Sequence, residues 1–113
     1  LCKVSLFLCH MNYIVIMDIT NRYKIQEFID KHPEAEKMFN KWINDILIAN
    51  WRNHAELKQM YASADYVGNN RYVFNIRGNK YRLVAVVVFF MGELNVRFVG
   101  THKEYDKIDC KTI

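Results

Sequence analysis

The stretch that decides the fold lies at residues 72–99 and reads YVFNIRGNKYRLVAVVVFFMGELNVRFV. It contains three runs rich in Val, Phe, Tyr and Ile, which favour strands, and two short interruptions typical of hairpin turns. The runs are Tyr72–Arg77, Lys80–Phe90 and Glu93–Val99, and the interruptions are Gly78-Asn79 and Met91-Gly92. This stretch therefore predicts three antiparallel strands joined by two-residue turns.

Two-residue turns determine which residues face each other across the strands. The first turn pairs Asn75 with Arg82, and the second pairs Val86 with Arg97. Because paired residues point to the same side of a sheet, one face is almost wholly apolar and the other is basic. The polar members of this basic face are Asn75, Arg77, Lys80, Arg82, Asn95 and Arg97. A second loop one residue longer would move Arg97 to the opposite face.

The residues before this meander carry a helical pattern. Apolar spacing from Thr20 onward, with Thr20 or Asn21 as the N-cap, predicts a first helix that ends at His32-Pro33. A second helix follows, and residues 54–61 suit a third short one. The apolar stripe of the second helix is Met38, Phe39, Trp42, Ile43, Ile46 and Leu47. Ile14–Ile16 suits a short edge strand.

Fold class and domain count follow from this order of elements. We expect Asp65–Arg71, with Gly68-Asn69-Asn70 inside it, to be a loop. The predicted fold is α+β, with N-terminal helices packed on one face of a three- to four-stranded antiparallel sheet and a short helix at the C-terminus. The 113 residues suffice for one domain, which we assign to residues 1–113.

The charge of the chain is distributed unevenly. The formal net charge is +4, yet residues 1–70 carry eight basic and eight acidic side chains, so the whole excess lies in residues 71–113. A localised positive surface is typical of proteins that bind phosphate-rich partners. The alternative is a solvated basic surface without a ligand, which charge alone does not distinguish.

The cysteines and the N-terminus bear on the compartment. Cys2, Cys9 and Cys110 are odd in number and lack the C-x-x-C spacing, which favours a reducing cytoplasm and predicts neither a disulfide framework nor a metal site. The apolar start is too short and too polar for a transmembrane helix, so we expect no membrane association. We expect the native start to be Met11 or Met17, and a start at Met17 would place residues 1–16 upstream of it.

A capping box lies just beyond the third strand. Thr101 and Glu104 have the Thr-x-x-Glu spacing that starts a helix, and His102 and Lys103 fall in its first turn. The predicted register brings this turn next to Arg82. The segment is then either only a helix cap or a cationic site for phosphate beside the basic face.

Two motifs together resemble the HigB branch of RelE-like bacterial toxins. They are YVFNIRGNKYRLVA at residues 72–85 and GTHKEYD at residues 100–106, and the resemblance extends over about residues 20–110. It implies a RelE-like fold, cleavage of mRNA on translating ribosomes, and inhibition by an antitoxin with a helix-turn-helix domain, a HigA-like partner. Arg82 matches the strand arginine of the active site in that group, and His102, Lys103 and Tyr105 lie where it keeps catalytic basic and tyrosine residues.

RNA cleavage through the ribose 2′-OH needs a base, cationic groups for the developing charge and an acid, but no cofactor. We assign phosphate stabilisation to Arg82 with Lys80, acid or base chemistry to His102, and secondary catalytic roles to Lys103 and Tyr105. Asn75, Arg77 and Arg97 are the candidates for RNA binding. The alternative functions are a non-catalytic RNA-binding module and a degenerate toxin that only binds its antitoxin.

Overall fold

The structure is a computed structural model that describes residues 17–78 and 80–113. Three helices precede a four-stranded meander, and a short strand and a short helix stand at the two ends. The elements in chain order are β1 (Asp18–Thr20), α1 (Tyr23–Lys31), α2 (Glu36–Ile48), α3 (His54–Met60), β2 (Asp65–Gly68), β3 (Arg71–Ile76), β4 (Tyr81–Val88), β5 (Glu93–Thr101) and α4 (His102–Tyr105). None of these helices is long and apolar enough to cross a bilayer.

The strands form one five-stranded sheet in the order β1-β5-β4-β3-β2. The α+β class is confirmed, but the expected sheet of three or four antiparallel strands is wrong, because β1 pairs with β5 in parallel and β2 adds a fifth strand. β4 lies at the centre of the sheet and pairs with β3 and β5. The expected edge strand at Ile14–Ile16 lies outside the described residues.

β2 occupies part of the stretch that was expected to be a loop. Its Tyr66 pairs with Tyr72 of β3, and a bulge follows before Gly68. Gly68, Asn69 and Asn70 all have positive φ, at 96°, 53° and 61°. Glycine and asparagine adopt this left-handed conformation readily, so the cluster forms the hairpin turn between two strands.

The helical layer follows the apolar pattern of the sequence. α1 ends just before Pro33, as expected, and α2 buries Phe39, Trp42, Ile43 and Ile46. The proposed N-cap of α1 is wrong, because Thr20 lies in β1 and the cap residue is Arg22, without a side-chain cap. Asn21 instead has a φ of 61° and donates from its amide to β5, at the side chain of Asn95 and the carbonyl of Val96.

The first hairpin has the register that the two-residue turn predicts. Asn75 pairs with Arg82 and Val73 with Val84. The N–H of Lys80 donates to the carbonyl of Arg77 over 3.2 Å, which closes the turn. The strands end one residue earlier than expected on each side, so Arg77 and Lys80 belong to the turn.

The second hairpin differs from the expected two-residue turn. Phe89–Met91 form a 3₁₀ turn that ends at Gly92, whose φ is 64°. Val88 rather than Phe90 therefore pairs with Glu93, and the register of β5 moves by two residues. Since side chains alternate with a period of two, this shift leaves each residue at the start of β5 on its expected face.

A β-bulge then changes the alternation in the second half of β5. Val96 pairs with Ala85 and Phe98 with Val84, so Arg97 is an extra residue. Beyond it every residue points to the face opposite to the expected one. Val99 consequently packs against the core.

The core lies between the helices and the apolar face of the sheet. Side chains of α1, α2, α3 and all strands except β2 contribute to it. The other face also buries two residues, Val73 and Val84, each exposed by 1% or less. Residues 106–113, here called the C-terminal segment, cross this face: Asn69 donates to the carbonyl of Lys111, and Arg71 donates to that of Ile113.

Two isoleucines of α2 provide a matched test of the packing. Ile46 is fully buried and Ile48, two residues later, is 78% exposed. We expect Ile46→Ala to lower the free energy of unfolding by about 2–5 kcal/mol, because it leaves a cavity in the core. Ile48→Ala should change it by less than about 0.5 kcal/mol. Urea denaturation followed by circular dichroism measures both values, and equal effects would contradict this packing.

Candidate active site

Arg82 and Tyr105 form the centre of the site. The guanidinium carbon of Arg82 lies 5.1 Å from the centroid of the Tyr105 ring, a cation–π contact between β4 and α4. Arg82 is half-buried, and its buried Nε atom has no hydrogen-bond partner among the described residues. A guanidinium that is held against an aromatic ring and keeps unpaired N–H donors is suited to bind a phosphate.

The backbones of Lys80 and His102 lie beside this pair, while the Lys80 ammonium lies 5.6 Å from the centroid of the Tyr81 ring. The backbone N–H of His102 donates to the carbonyl of Lys80 over 3.3 Å, and both side chains are exposed. The Nδ1 atom of His102 lies 3.2 Å from a carboxylate oxygen of Asp106, one helical turn later. This carboxylate orients the imidazole ring and leaves Nε2 as the ring nitrogen for chemistry.

The capping box that places these residues forms as the sequence predicts. Thr101 accepts from the N–H of Glu104, and the Glu104 carboxylate accepts from the N–H of Thr101 over 2.8 Å. α4 has only four residues, so the box and the ladder between Tyr81 and Thr101 fix most of its geometry. His102 and Tyr105 are thereby held three residues apart on one turn, beside β4.

The other predicted site residues lie around this centre, in α4, β3, the β3–β4 turn and β5. Lys103 is exposed in the same turn of α4. Asn75 pairs with Arg82 and donates to the carbonyl of Ser63. Arg77 lies in the β3–β4 turn and lines a small cavity against α2. Arg97 donates to Asn95 and to the carbonyl of Ile113, so it contacts the C-terminal segment.

The environment of Tyr105 favours its neutral form. Burial, followed by the neighbouring Cys110 thiol, raises the pKa of Tyr105 to about 12, although Arg82 acts in the opposite direction. Its hydroxyl therefore keeps its proton throughout the neutral range. The arrangement thus combines the Arg82 guanidinium, an oriented imidazole and a protonated phenol.

Three functional neighbours were missed by the sequence analysis. The contact of Asp106 with His102 could have been predicted, because a spacing of four residues places the two on one helical face. The contact of Cys110 with Tyr105 had no sequence signal. Nor did Glu34, whose carboxylate accepts from the buried Tyr81 hydroxyl over 3.1 Å. A backbone hydrogen bond, this Tyr81 contact and the nearby His32 and Lys80 hold the pKa of Glu34 below its usual value.

Comparison with known proteins identifies the family. The model of the HigB toxins, described as the RelE-like toxic component of a toxin–antitoxin system, matches residues 35–108. The chain belongs to the HigB toxin family. It is 31% identical over 93 residues to the mRNA interferase toxin HigB of Escherichia coli strain K12, covering 80% of this chain and 88% of that protein. The mRNA interferases HigB of Escherichia coli O157:H7 and Shigella flexneri give the same values.

Membership in the HigB family confirms the resemblance drawn from the two sequence motifs. Both motifs, at residues 72–85 and 100–106, fall inside the matched residues. The family is defined by toxins that act with an antitoxin, so this chain is the toxic component of such a pair.

The raised pKa of Tyr105 predicts a loss of stability at high pH. Tyrosines of the unfolded chain ionise near pH 10, whereas folded Tyr105 keeps its proton to about pH 12. Its stabilising contribution is therefore complete below pH 10 and is lost as the pH rises through this window. Urea unfolding between pH 8 and 12 should show a smaller decline for Tyr105→Phe than for the wild type. An equal decline in the free energy of unfolding for the two proteins would contradict this environment of Tyr105.

Proposed function

We propose that this HigB toxin is an endoribonuclease that cuts mRNA on the ribosome by metal-independent acid–base chemistry. The observation that carries the proposal is the contact of Arg82 with Tyr105 next to the Lys80–His102 pair. The printed names of the relatives, mRNA interferases, support RNA as the substrate. Such a substrate implies action in the cytoplasm.

Arg82 and Lys80 stabilise the charge that develops on the phosphate. In this reaction the ribose 2′-oxygen attacks the adjacent phosphorus, and the P–O5′ bond breaks. The transition state carries additional negative charge on the non-bridging oxygens, where preorganised donors are most effective. Arg82 is preorganised by its contact with the Tyr105 ring, and Lys80 adds a second cation from the neighbouring turn.

His102 acts as the base. Its Nδ1–H donates to Asp106, so the lone pair of Nε2 accepts the proton of the 2′-OH as the O2′–P bond forms. Imidazoles accept and release protons near neutral pH, which suits a group that must do both in each turnover. Lys103, exposed in the same turn, contributes positive charge beside it.

Tyr105 acts as the acid. Its hydroxyl is protonated at neutral pH and donates a proton to the O5′ atom as the P–O5′ bond breaks. The products are a 2′,3′-cyclic phosphate and a 5′-hydroxyl end. Solvent then returns a proton to Tyr105 and removes the one held by His102. No metal or other cofactor enters these steps.

The remaining cations bind RNA outside the reacting phosphate. Arg77 is exposed on the turn next to Lys80, where it can contact the backbone of the substrate without touching the site centre. Asn75 of β3 lies directly opposite Arg82 of β4, and Arg97 belongs to β5, the other neighbour of β4. The ribosome supplies the in-line orientation of the reacting atoms, an effect worth up to about 7–11 kcal/mol in well-oriented systems.

The Arg82 and His102 side chains give the decisive test. On programmed ribosomes under single-turnover conditions, Arg82→Ala should slow cleavage by about two to three orders of magnitude. His102→Ala should slow it by about 10²- to 10⁴-fold. Arg77→Ala should mainly raise the ribosome concentration needed for half-maximal cleavage. The same mRNA without ribosomes should be cut much more slowly by the wild type.

Two matched variants control this experiment. Arg22→Ala removes an exposed arginine at the start of α1, and His54→Ala removes a histidine of α3 whose ring contacts Tyr66 and Tyr72 instead of the site. Both should cut at the wild-type rate, and circular dichroism should show every variant to be folded. Wild-type rates in folded Arg82 and His102 variants would refute the site. A wild-type protein that binds ribosomes without cutting mRNA would favour the non-catalytic module.

The partner that we propose is an antitoxin with a helix-turn-helix domain, similar to HigA. The support is membership in a family defined by toxin–antitoxin pairs. Co-expression with a HigA-like helix-turn-helix protein from the same genome should yield one complex on gel filtration, and it should restore growth of cells that express the toxin. Elution of two separate proteins would contradict this partner.

A further inference from the structure

A groove runs along the outer side of β5, next to the proposed active site. Its volume is about 430 Å³, within the range of ligand-binding pockets. One wall is α1, with Lys24 and Lys31, and the other is formed by β5 and α4, with Arg97, Phe98 and Glu104. Neither the family nor the relatives' names assign a role to it.

The groove exists because β1 is short. β1 pairs only with Glu93–Asn95, the first residues of β5, so the rest of β5 has no strand on that side. The bulge at Arg97 begins just beyond this pairing, and it turns Phe98 away from the core. An open strand edge, a half-buried aromatic ring and the side of α1 therefore border the same space.

The charged residues of the groove favour an anion. Lys24 and Lys31 are seven residues apart on one face of α1, about 10 Å along the helix axis. Neither ammonium group takes part in an ion pair within the residues that the structure describes. Arg97 lines the facing strand, where its guanidinium donates to Asn95 and to the carbonyl of Ile113. Of the acidic residues here, Glu104 is engaged by the capping box, and Glu27 lies between the two lysines.

Phe98 connects the groove to the site. Gly100, the residue opposite Arg82 in the ladder, has no side chain, and the Phe98 ring occupies that space. A Cβ on Gly100 would lie 2.5 Å from Cζ of Phe98 and 2.9 Å from the Glu104 carboxylate. The ring thus covers the residue that pairs with Arg82 and also lines the groove with the lysines of α1, where a base next to the scissile phosphate could stack on it.

We propose that this groove binds single-stranded RNA, with the backbone on Lys24 and Lys31 and a base on Phe98. It is a subsite for the nucleotides that flank the cleaved bond, and it therefore rests on the proposed function. The combination of cations along a track and an aromatic platform is the usual means of binding single strands without base-specific hydrogen bonds. RNA in this groove would add affinity without adding a catalytic group.

Binding of a short, fluorescently labelled 2′-O-methyl oligoribonucleotide tests the subsite, because that probe lacks the attacking hydroxyl. In about 0.1 M salt, Lys24→Ala combined with Lys31→Ala should weaken binding about 25-fold and reduce the salt slope by about 1.4, since each phosphate contact on a single strand contributes about 0.7. Phe98→Leu, which keeps an apolar side chain on Gly100, should weaken binding by about 5- to 150-fold.

Arg22→Ala combined with Lys37→Ala is the matched control. It removes the same charge from exposed positions that do not line the groove, and it should leave affinity and salt slope near the wild-type values. Equal losses in the two double variants would overturn the subsite, and so would the absence of RNA binding by the wild type. Full competition by inorganic polyphosphate together with no effect of Phe98→Leu would show anion attraction only, and would also overturn it.

Cleavage by the wild type on programmed ribosomes separates this proposal from the proposed function. If the wild type cuts mRNA and the groove variants bind and cut as it does, the subsite is wrong and the function stands. If the wild type does not cut but its RNA affinity depends on Lys24, Lys31 and Phe98, the subsite stands and the nuclease assignment fails. The groove variants should need a higher ribosome concentration than the wild type for half-maximal cleavage, because their affinity for RNA is lower.

Discussion

The geometry of the site depends on one extra residue in β5. Without the bulge at Arg97, the ladder would place Val99 opposite Arg82 and Phe98 in the core. With it, Val99 joins the core and Gly100 lies opposite Arg82. The absence of a side chain at Gly100 leaves room for the Phe98 ring and for Glu104, which caps α4. The bulge thus sets the position of the helix that carries His102 and Tyr105.

The central strand joins the core to the site through strand alternation. Tyr81 points into the helical layer, where its ring packs against Phe28 and Phe39 and its hydroxyl donates to Glu34. Arg82, the next residue, consequently points to the opposite face. A side chain that is 1% exposed and held by both packing and a hydrogen bond has little freedom, so the backbone that carries Arg82 is fixed from the core side. This rigidity is what a preorganised cation requires.

The features that could be predicted from the sequence are those set by local rules. The Gly78-Asn79 turn determines its register, so the pairing of Asn75 with Arg82 followed from residue spacing, as did the capping box at Thr101. The prediction of a two-residue second turn was wrong, because Phe89–Met91 form a 3₁₀ turn instead. The two kinds of turn differ little in local energy. The bulge and the contact of Glu34 with Tyr81 depend on packing between distant segments, which spacing along the chain does not encode.

The proposed site draws its groups from two parts of the fold that differ in stability. Arg82 belongs to the central strand, whereas the environment of Tyr105 depends on the C-terminal segment, through Cys110. That segment is held mainly by side-chain donors to its backbone carbonyls, such as Arg71 and Arg97 to Ile113, and most of it is exposed. Segments with few buried contacts open locally at a lower free-energy cost than the core. Opening of the C-terminal segment would expose Tyr105 to water and lower its pKa towards that of a free tyrosine, while the strand that carries Arg82 stays folded. Order in residues 106–113 therefore sets the surroundings of Tyr105, whereas Arg82 depends on the central strand.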